Sequence, residues 1–213
     1  MKVVAIVPIK LNNERLPNKN IKEFDNGQPL CSFLLNTLNS VKNIDETYVY
    51  CSDELIKNYI PEGVKYLERS DALDTSKTSM TDILKAFIKE VDADIYVLSH
   101  VTSPFLKPES LYAAIEKVKT SEFDSAFSVE ELHEFLWSDN EPNYDIQNIP
   151  RTQDLNPVYK ETSGFYIFEK DIMKTHSRRI GFKPYLKTVS SIEGIDIDDK
   201  EDFDIANVVM NAN

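Results

Sequence analysis

The chain has 213 residues, of which 41% are hydrophobic, and this is enough for one α/β domain with a proper core. Its net charge of −12 argues against general nucleic-acid binding, because proteins that bind nucleic acid neutralise phosphates with cationic surfaces. No apolar run approaches the roughly 18–20 residues of a membrane span, and the two cysteines form no CxxC motif. We therefore expect a cytoplasmic protein with reduced thiols, in which a small anionic ligand is possible wherever cations are concentrated.

Short apolar runs alternate with amphipathic patterns along most of the chain. The sequence predicts strands at 3–8, 47–52, 64–69, 94–101, 125–129 and 164–168. It predicts helices at 29–41, 53–60, 79–91, 108–120 and 200–212. Ser79 or Thr81 is suited to cap the third of these helices. The alternation indicates an α/β protein with a mostly parallel sheet flanked by helices, whose ligands bind beyond the carboxyl ends of the strands.

The segment from Glu130 to Val158 interrupts this alternation. It contains three prolines and Trp137, the only tryptophan of the chain. We interpret residues 1–213 as a single domain and this segment as an excursion from its sheet. The excursion is either a lid or an arm that meets a partner chain.

The loop after the first strand concentrates cations and amides and contains no glycine. Lys10, Arg15 and Lys19 supply the cations, and Asn13 and Asn20 are candidate amide donors. Glycine-rich loops surround a phosphate chain with backbone N–H groups, whereas here side chains would have to help. The same composition is also found in solvated surface loops, so residue types alone leave the two interpretations equally open.

Two acidic residues near the C-terminus form a second candidate site. Asp196 and Asp198 are separated by one residue, so in an extended segment both carboxylates point to the same side. Hard divalent cations prefer clustered carboxylate oxygens. The dipole of the last helix explains the acidic residues that follow, but two adjacent like charges repel unless something neutralises them.

Further polar residues follow other predicted strands. Arg69 could reach a nucleotide at the strand ends or form an ion pair with a nearby aspartate. Thr102 and Ser103 follow the central strand, where two hydroxyls could bind a polar ligand or form a helix-entry turn. His100 has no second histidine or cysteine near it, which is more typical of a packed or solvent-facing histidine than of a metal ligand.

These segments, in this order, resemble the acylneuraminate cytidylyltransferase family, which includes CMP-sialate synthetases. Residues 8–20 are similar to the family pattern P-A-R-G-G-S-K-x-[LI]-P-x-K-N, with Pro8, Pro17, Lys19 and Asn20 among the matches. Four further segments resemble family motifs in register: 69–84, 98–105, 149–168 and 195–206. The chain departs from the pattern where Leu11 and Asn12 replace two glycines and Glu14 replaces a lysine near the triphosphate.

The resemblance implies a Rossmann-like nucleotidyltransferase that transfers CMP from CTP to a sugar acid of the nonulosonic type and releases pyrophosphate. It implies catalytic roles for three cations of the first loop, Lys10, Arg15 and Lys19, and nucleotide binding by Asn13, Asn20 and Arg69. It implies acceptor binding by Thr102, Ser103, Arg151 and Gln153, and Mg²⁺ binding by Asp196 and Asp198. The excursion at 130–158 resembles the dimerisation arm of the family, which implies a homodimer.

Two alternatives remain open from the sequence. A metal-dependent glycosyltransferase also uses an Asp-x-Asp pair, although that pair usually follows a central strand in the middle of the chain. A nucleotide-binding homologue without catalysis is the second alternative, motivated by Glu14 and the missing glycines.

Overall fold

The fold is a seven-stranded sheet with helices on both faces, in a computed structural model that describes residues 1–13 and 15–212. The strands are β1 (Val3–Pro8), β2 (Glu46–Cys51), β3 (Val64–Glu68), β4 (Ile95–Ser99), β5 (Ser125–Leu132), β6 (Trp137–Ser138), β7 (Glu141–Pro142), β8 (Val158–Glu169) and β9 (Pro184–Thr188). The α-helices are α1 (Leu30–Ser40), α2 (Met80–Glu90), α3 (Pro108–Lys119), α4 (Lys170–His176) and α5 (Lys200–Ala212).

The sheet is mostly parallel, as predicted. Its strand order is β3-β2-β1-β4-β8-β5-β9, and β8 runs antiparallel to both of its neighbours. The other strands of this sheet share one direction, so their carboxyl ends meet at one edge. We call it the carboxyl edge, and the loops after β1 and β4 both leave the sheet there.

Two apolar layers cover the sheet, which is why β1 and β4 consist of continuous apolar runs. On one face, Leu34 of α1 and Ile115 of α3 pack against β1 and β4. On the other face, Phe87 of α2 and Met173 of α4 form the layer. Phe87 is fully buried, and its ring contacts Tyr50 edge-on at a centroid distance of 5.4 Å. Burial on both faces fixes the strands and leaves their carboxyl-end loops free to carry ligand-binding groups.

Several elements differ from the sequence prediction. The predicted helix at 53–60 is a 3-10 helix, Glu54–Tyr59. Helix α4 and strand β9 were not predicted, because one has only seven residues and the other is a five-residue, partly exposed strand at the sheet edge. β5 continues to Leu132 and β8 starts at Val158, so the excursion covers 133–157 and contains the β6–β7 hairpin.

The structure shows the state of the two cysteines and the apolar character of the helices. Cys31 and Cys51 are free and buried. Burial raises the pKa of the Cys31 thiol to about 12, so this thiol is unreactive at neutral pH. Among residues 1–13 and 15–212, no helix has the length and apolar character needed to cross a bilayer.

The cap of α2 gives a first test of the fold. Ser79 Oγ accepts a hydrogen bond from the Asp82 amide, and the Asp82 carboxylate accepts one from the Ser79 amide, both at 3.2 Å. We expect Ser79→Ala to lower the free energy of unfolding by about 1 kcal/mol because it leaves a helix N–H unpaired. Thr81→Ala, inside the first turn, should change it by less than about 0.5 kcal/mol. Urea unfolding of both variants measures the difference, and equal losses would contradict the cap.

Candidate functional site

A cleft at the carboxyl edge brings together the loop after β1 and the segment before α5. Lys19, only 8% exposed, donates from Nζ to the Ile197 carbonyl at 2.7 Å, although 178 residues separate them in the chain. The same Nζ lies 3.5 Å from Asp198 Oδ1, and Arg15 Nη1 lies 3.1 Å from Asp198 Oδ2. The cations of the first loop and the acidic segment therefore converge, as the sequence interpretation required.

Side-chain contacts shape the first loop in place of glycine. Asn18 adopts a left-handed conformation with φ 55°, which asparagine tolerates better than most residues. Asn20 Nδ2 donates to the Lys10 carbonyl at 2.8 Å and so ties the two ends of the loop together. Leu11, which replaces a glycine of the family pattern, is buried in the core. The loop is thus anchored by apolar packing and amide hydrogen bonds.

The acidic segment is anchored by the residue between its two aspartates. Ile197 is fully buried in a cluster with Phe24 and Phe203, whose rings stack at a centroid distance of 4.6 Å. The Ile197 amide donates to the Thr102 carbonyl at 2.8 Å, which fixes the segment to the loop after β4. Packing of this one apolar side chain holds the flanking carboxylates at the cleft.

The first-loop cations line a pocket of about 320 Å³, which we call the cation pocket. Its lining residues are Lys10, Asn13, Arg15, Leu16, Lys19, Ser76 and Asp198. The side-chain oxygens of Asn13 and Asn20 are buried without a hydrogen-bond partner among the described residues. Ser76 was not predicted, since nothing in its local sequence distinguishes it. Glu14, whose charge differs from the family pattern, lies outside the described residues.

A neighbouring pocket of about 340 Å³ contains the other aspartate, and we call it the Asp196 pocket. Its lining residues are Glu130, Lys160, Glu161, Thr162, Ser191, Gly194, Ile195, Asp196, Asp202 and Ile205. The two aspartates therefore line two adjacent pockets. Burial, reinforced by the charge of Asp198, raises the pKa of Asp196, while a hydrogen bond from Thr102 opposes the rise.

A divalent cation fits the donor set of this pair. Asp196 Oδ1 is buried and has no hydrogen-bond partner in the described chain, so an oxygen is available to a ligand. Within residues 1–13 and 15–212, no group of three or more acidic, histidine or cysteine side chains is arranged to hold a metal. Mg²⁺ commonly uses one or two carboxylates and completes its shell with phosphate oxygens and water. Two aspartates are therefore sufficient on the protein side.

Arg69 occupies a buried structural position behind the cation pocket. It is 3% exposed, donates from Nη2 to the Ile9 carbonyl at 2.9 Å, and forms an ion pair with Asp74. Of the two alternatives from the sequence, the structure shows the ion pair, although it is buried and not on the surface. Its second contact holds the backbone at the end of β1, where the first loop begins.

The predicted acceptor-binding residues lie in two places. Ser103, in the loop after β4, is buried with its hydroxyl unpartnered among the described residues, and neither Thr102 nor Ser103 lines either of the two pockets. Arg151 and Gln153 are exposed on the excursion and line neither of the two pockets. Both sides of the Arg151 fork bind Asp154, with Nε–Oδ2 and Nη2–Oδ1 distances of 2.8 and 3.0 Å.

His100 is influenced by two cations that the sequence did not connect to it. Burial, together with the charges of Arg179 and Lys19, lowers the pKa of His100 to about 4. The imidazole is therefore neutral at pH 7 and adds no charge to the cleft. The sequence interpretation of a packed histidine is consistent with this environment.

This shifted pKa predicts a pH dependence of stability. Because the pKa of His100 is about 4 in the folded state and about 6.5 when unfolded, protonation favours the unfolded chain. The contribution of neutral His100 to the free energy of unfolding is fully present above pH 6.5. It is lost as the pH falls towards 4, at up to about 1.4 kcal/mol per pH unit. His100→Gln should remove this part of the slope. Urea unfolding at several pH values tests it, and identical slopes in both proteins would contradict it.

Fold and cleft together are those of an α/β protein with cations and carboxylates gathered beyond the carboxyl ends of the central strands. The family model described as cytidylyltransferase matches residues 4–210, almost the whole chain. The chain therefore belongs to the cytidylyltransferase family.

Two relatives and one solved structure show the range of this similarity. The N-acylneuraminate cytidylyltransferase of Streptococcus agalactiae serotype V is 26% identical over 215 residues, which cover 95% of this chain and 52% of that protein. The chain thus spans about half the length of that relative. The pseudaminic acid cytidylyltransferase of Campylobacter jejuni serotype O:2 is 26% identical over 238 residues, covering 100% of this chain and 98% of that protein.

The solved structure is CMP:2-keto-3-deoxy-manno-octonic acid synthetase complexed with CTP, which superimposes with a TM-score of 0.76. The match covers 100% of this chain and 99% of that chain. Sequence identity is 15%, so this likeness concerns the fold alone. It agrees with the Rossmann-like architecture predicted from the sequence.

Proposed function

We propose that the chain transfers CMP from CTP to a sugar acid of the nonulosonic type and releases pyrophosphate. Family membership supports the cytidylyl transfer, and the names of the relatives support the class of acceptor. The single observation that carries the proposal is the contact of Lys19 with Ile197 and Asp198. It joins the cationic loop to the acidic segment in one cleft.

The proposed reaction needs placement and charge neutralisation more than covalent participation of the protein. A hydroxyl oxygen of the acceptor attacks the α-phosphorus and forms a new O–P bond, and its proton passes to solvent water. The bond to the bridging oxygen breaks, and pyrophosphate leaves with that electron pair. Lys10, Arg15 and Lys19 bind the triphosphate and stabilise the charge on the leaving group.

The nucleotide-binding residues act partly through the backbone at the end of β1. Asn20 holds the Lys10 carbonyl and Arg69 holds the Ile9 carbonyl, so both position the start of the loop that meets the triphosphate. Asn13 lines the cation pocket directly. On this basis we assign a role in nucleotide binding to all three residues.

We assign Mg²⁺ to Asp196 and Asp198. The unpartnered oxygen of Asp196 and the position of Asp198 in the cation pocket support this assignment. When bound, Mg²⁺ neutralises phosphate charge and orients the triphosphate. Asp198 also holds Arg15 and Lys19 beside the pocket by ion pairing, independently of any metal.

We place the acceptor in the Asp196 pocket, next to the triphosphate. Thr102 and Ser103 follow β4, and the Thr102 carbonyl accepts the amide of Ile197, next to Asp196, which supports keeping both as acceptor residues although neither lines the pocket. Arg151 and Gln153 lie on the excursion, so they would contact the acceptor only if the excursion moved towards the Asp196 pocket. The guanidinium group of Arg151 already binds Asp154, so this ion pair would have to open before Arg151 could bind the acceptor.

The excursion supports a homodimer. It exposes four large apolar side chains, Phe135, Trp137, Ile146 and Ile149. Exposed apolar surface of this kind marks interaction sites. We expect sedimentation to give twice the chain mass of 24.5 kDa, and Trp137→Asp to shift the protein to the monomer because it places a charge in the interface. Tyr112→Asp on α3 is the control. If the native protein is monomeric, the excursion is not a dimerisation arm.

Pyrophosphate release tests the function directly. The protein is mixed with CTP, Mg²⁺ and sialic, legionaminic or pseudaminic acid, and pyrophosphate is measured. Release that depends on one of these acids supports the proposal. Release of UDP from a UDP-sugar would favour the glycosyltransferase, and CTP binding by calorimetry without turnover on any acceptor would favour a binding protein.

A further inference from the structure

Two consecutive arginines after α4 line a third pocket, which we call the arginine pocket. Its volume is about 390 Å³, and its lining residues are Met80, Thr81, Ser177, Arg178, Arg179, Ile180 and Gly181. Ser177 ends α4 in a left-handed conformation with φ 55°, and Met80 and Thr81 at the start of α2 complete the lining. The lining combines hydroxyl and apolar groups with two guanidinium groups.

Both guanidinium groups are held against aromatic rings. The Arg178 Cζ atom lies 3.9 Å from the centroid of the Phe182 ring, and the Arg179 Cζ atom lies 3.7 Å from that of Tyr166. Stacking limits the conformations of each side chain, so less entropy is lost when a ligand binds. The two forks are therefore preorganised.

Within residues 1–13 and 15–212, these two arginines form no ion pair with a carboxylate, unlike the other three arginines. Of the five arginines in the chain, Arg15, Arg69 and Arg151 each form an ion pair with an aspartate. Arg178 Nε and Nη2 are buried without any hydrogen-bond partner among the described residues. Such buried, unsatisfied donors are costly in free energy, and a bound anion would remove that cost. This is unexpected in a chain of net charge −12, where carboxylates are plentiful.

Tyr166 connects the arginine pocket to the Asp196 pocket. Tyr166, under Arg179, donates its hydroxyl hydrogen to Glu161 Oε2 at 2.6 Å, and Glu161 lines the Asp196 pocket. His100 is near enough to both Arg179 and Lys19 for each charge to act on it. Glu161, in the lining of the Asp196 pocket, is therefore connected to Arg179 through a single side chain, that of Tyr166.

We propose that Arg178 and Arg179 bind the carboxylate of the sugar-acid acceptor. The planar fork of a guanidinium matches the two oxygens of a carboxylate. Arg151, the arginine that the sequence suggested for this role, has its fork filled by Asp154, whereas the forks of this pair are free of carboxylate partners in the described chain. The inference rests on the proposed function, since it names how that acceptor is recognised.

Kinetics of conservative variants give the first test. Arg178→Met and Arg179→Met keep an unbranched apolar stem but remove the charge and the donors. Each should raise the KM for the sugar acid by about 10- to 100-fold and leave the KM for CTP unchanged. Lys174→Met, an exposed residue of α4, makes the same change in net charge and is the matched control. An unchanged KM for the acid in both arginine variants would overturn the proposal.

A binding measurement separates this proposal from the proposed function. The side-chain Nε signals of the five arginines are recorded by NMR on ¹⁵N-arginine protein, and the two variants assign those of Arg178 and Arg179. N-acetylneuraminate and pseudaminate, their carboxyl methyl esters, and inorganic phosphate are titrated in turn. We expect an acid to shift both signals and its ester and phosphate to leave them in place.

The outcomes point to different failures. An acid that shifts these signals without any pyrophosphate release supports the site and contradicts the proposed function. Turnover with unshifted signals supports the function and overturns the site. Equal shifts with ester or with phosphate would overturn the carboxylate assignment.

Discussion

Replacing Asp198 with alanine should lower turnover by about 10³-fold and leave the fold intact. The two oxygens of Asp198 face Lys19 and Arg15 at 3.5 and 3.1 Å, so this carboxylate holds two of the proposed phosphate-binding cations in place. It is also the proposed Mg²⁺ ligand on the side of the cation pocket. Its side chain is half-exposed, so its loss creates no core cavity.

The measurements for Asp198→Ala are kcat, urea unfolding and calorimetry of Mg²⁺ in the presence of CTP. Asp204→Ala is the matched control, since Asp204 is exposed on α5, pairs with Lys200 and carries the same charge. Asp198→Asn adds a variant of nearly equal shape without the charge. We expect Mg²⁺ binding to weaken in both Asp198 variants. Near-normal turnover in Asp198→Ala would show that the metal and cation-positioning roles are wrong.

Replacing Lys19 with alanine should raise the KM for CTP and lower kcat, with a combined loss in kcat/KM of about 10²- to 10³-fold. Lys19 is only 8% exposed, and its ammonium group is the only link seen between the first loop and the Ile197 carbonyl in the described chain. Its removal takes a charge from the triphosphate site and leaves that carbonyl unpaired. The second effect should lower the free energy of unfolding by about 1–3 kcal/mol.

Two controls separate these effects of Lys19→Ala. Lys42→Ala removes an exposed lysine at the end of α1, away from the cleft, and should change neither kinetics nor stability. Lys19→Met retains much of the side-chain volume, so its kinetic loss reports the missing charge. A variant that loses stability but keeps kcat and KM would show that Lys19 is a structural residue only.

Local patterns were sufficient for most of the secondary structure. The strands β1 and β4 lie in continuous apolar runs because both faces are covered, and such runs are visible in the sequence. The amphipathic spacing of α2 and α3 gave their positions to within a residue or two. The direction of β8 was not visible, because an apolar run has the same composition in a parallel and an antiparallel strand.

The residues of the site could be predicted from the sequence only where they formed a distinctive motif. The cations of the first loop and the Asp196–Asp198 pair were found from composition and spacing. Glu161 and Thr162 of the Asp196 pocket were missed, although polar residues before an apolar strand were a usable signal. Arg178 and Arg179 were also missed, because two arginines in a polar segment are ordinary and only their lack of partners sets them apart.

The sequence by itself determined an α/β protein with its cations and its aspartate pair at loops beyond the strands, because periodicity and residue type are local properties. Only the tertiary structure decided which of these charges meet. Lys19 contacts Ile197, which is 178 residues away in the chain. Arg69 and Arg151 form ion pairs with aspartates, whereas Arg178 stacks on the ring of Phe182. Pairing depends on distances between side chains that packing of the whole chain sets, and these distances decide which cations remain available to a ligand.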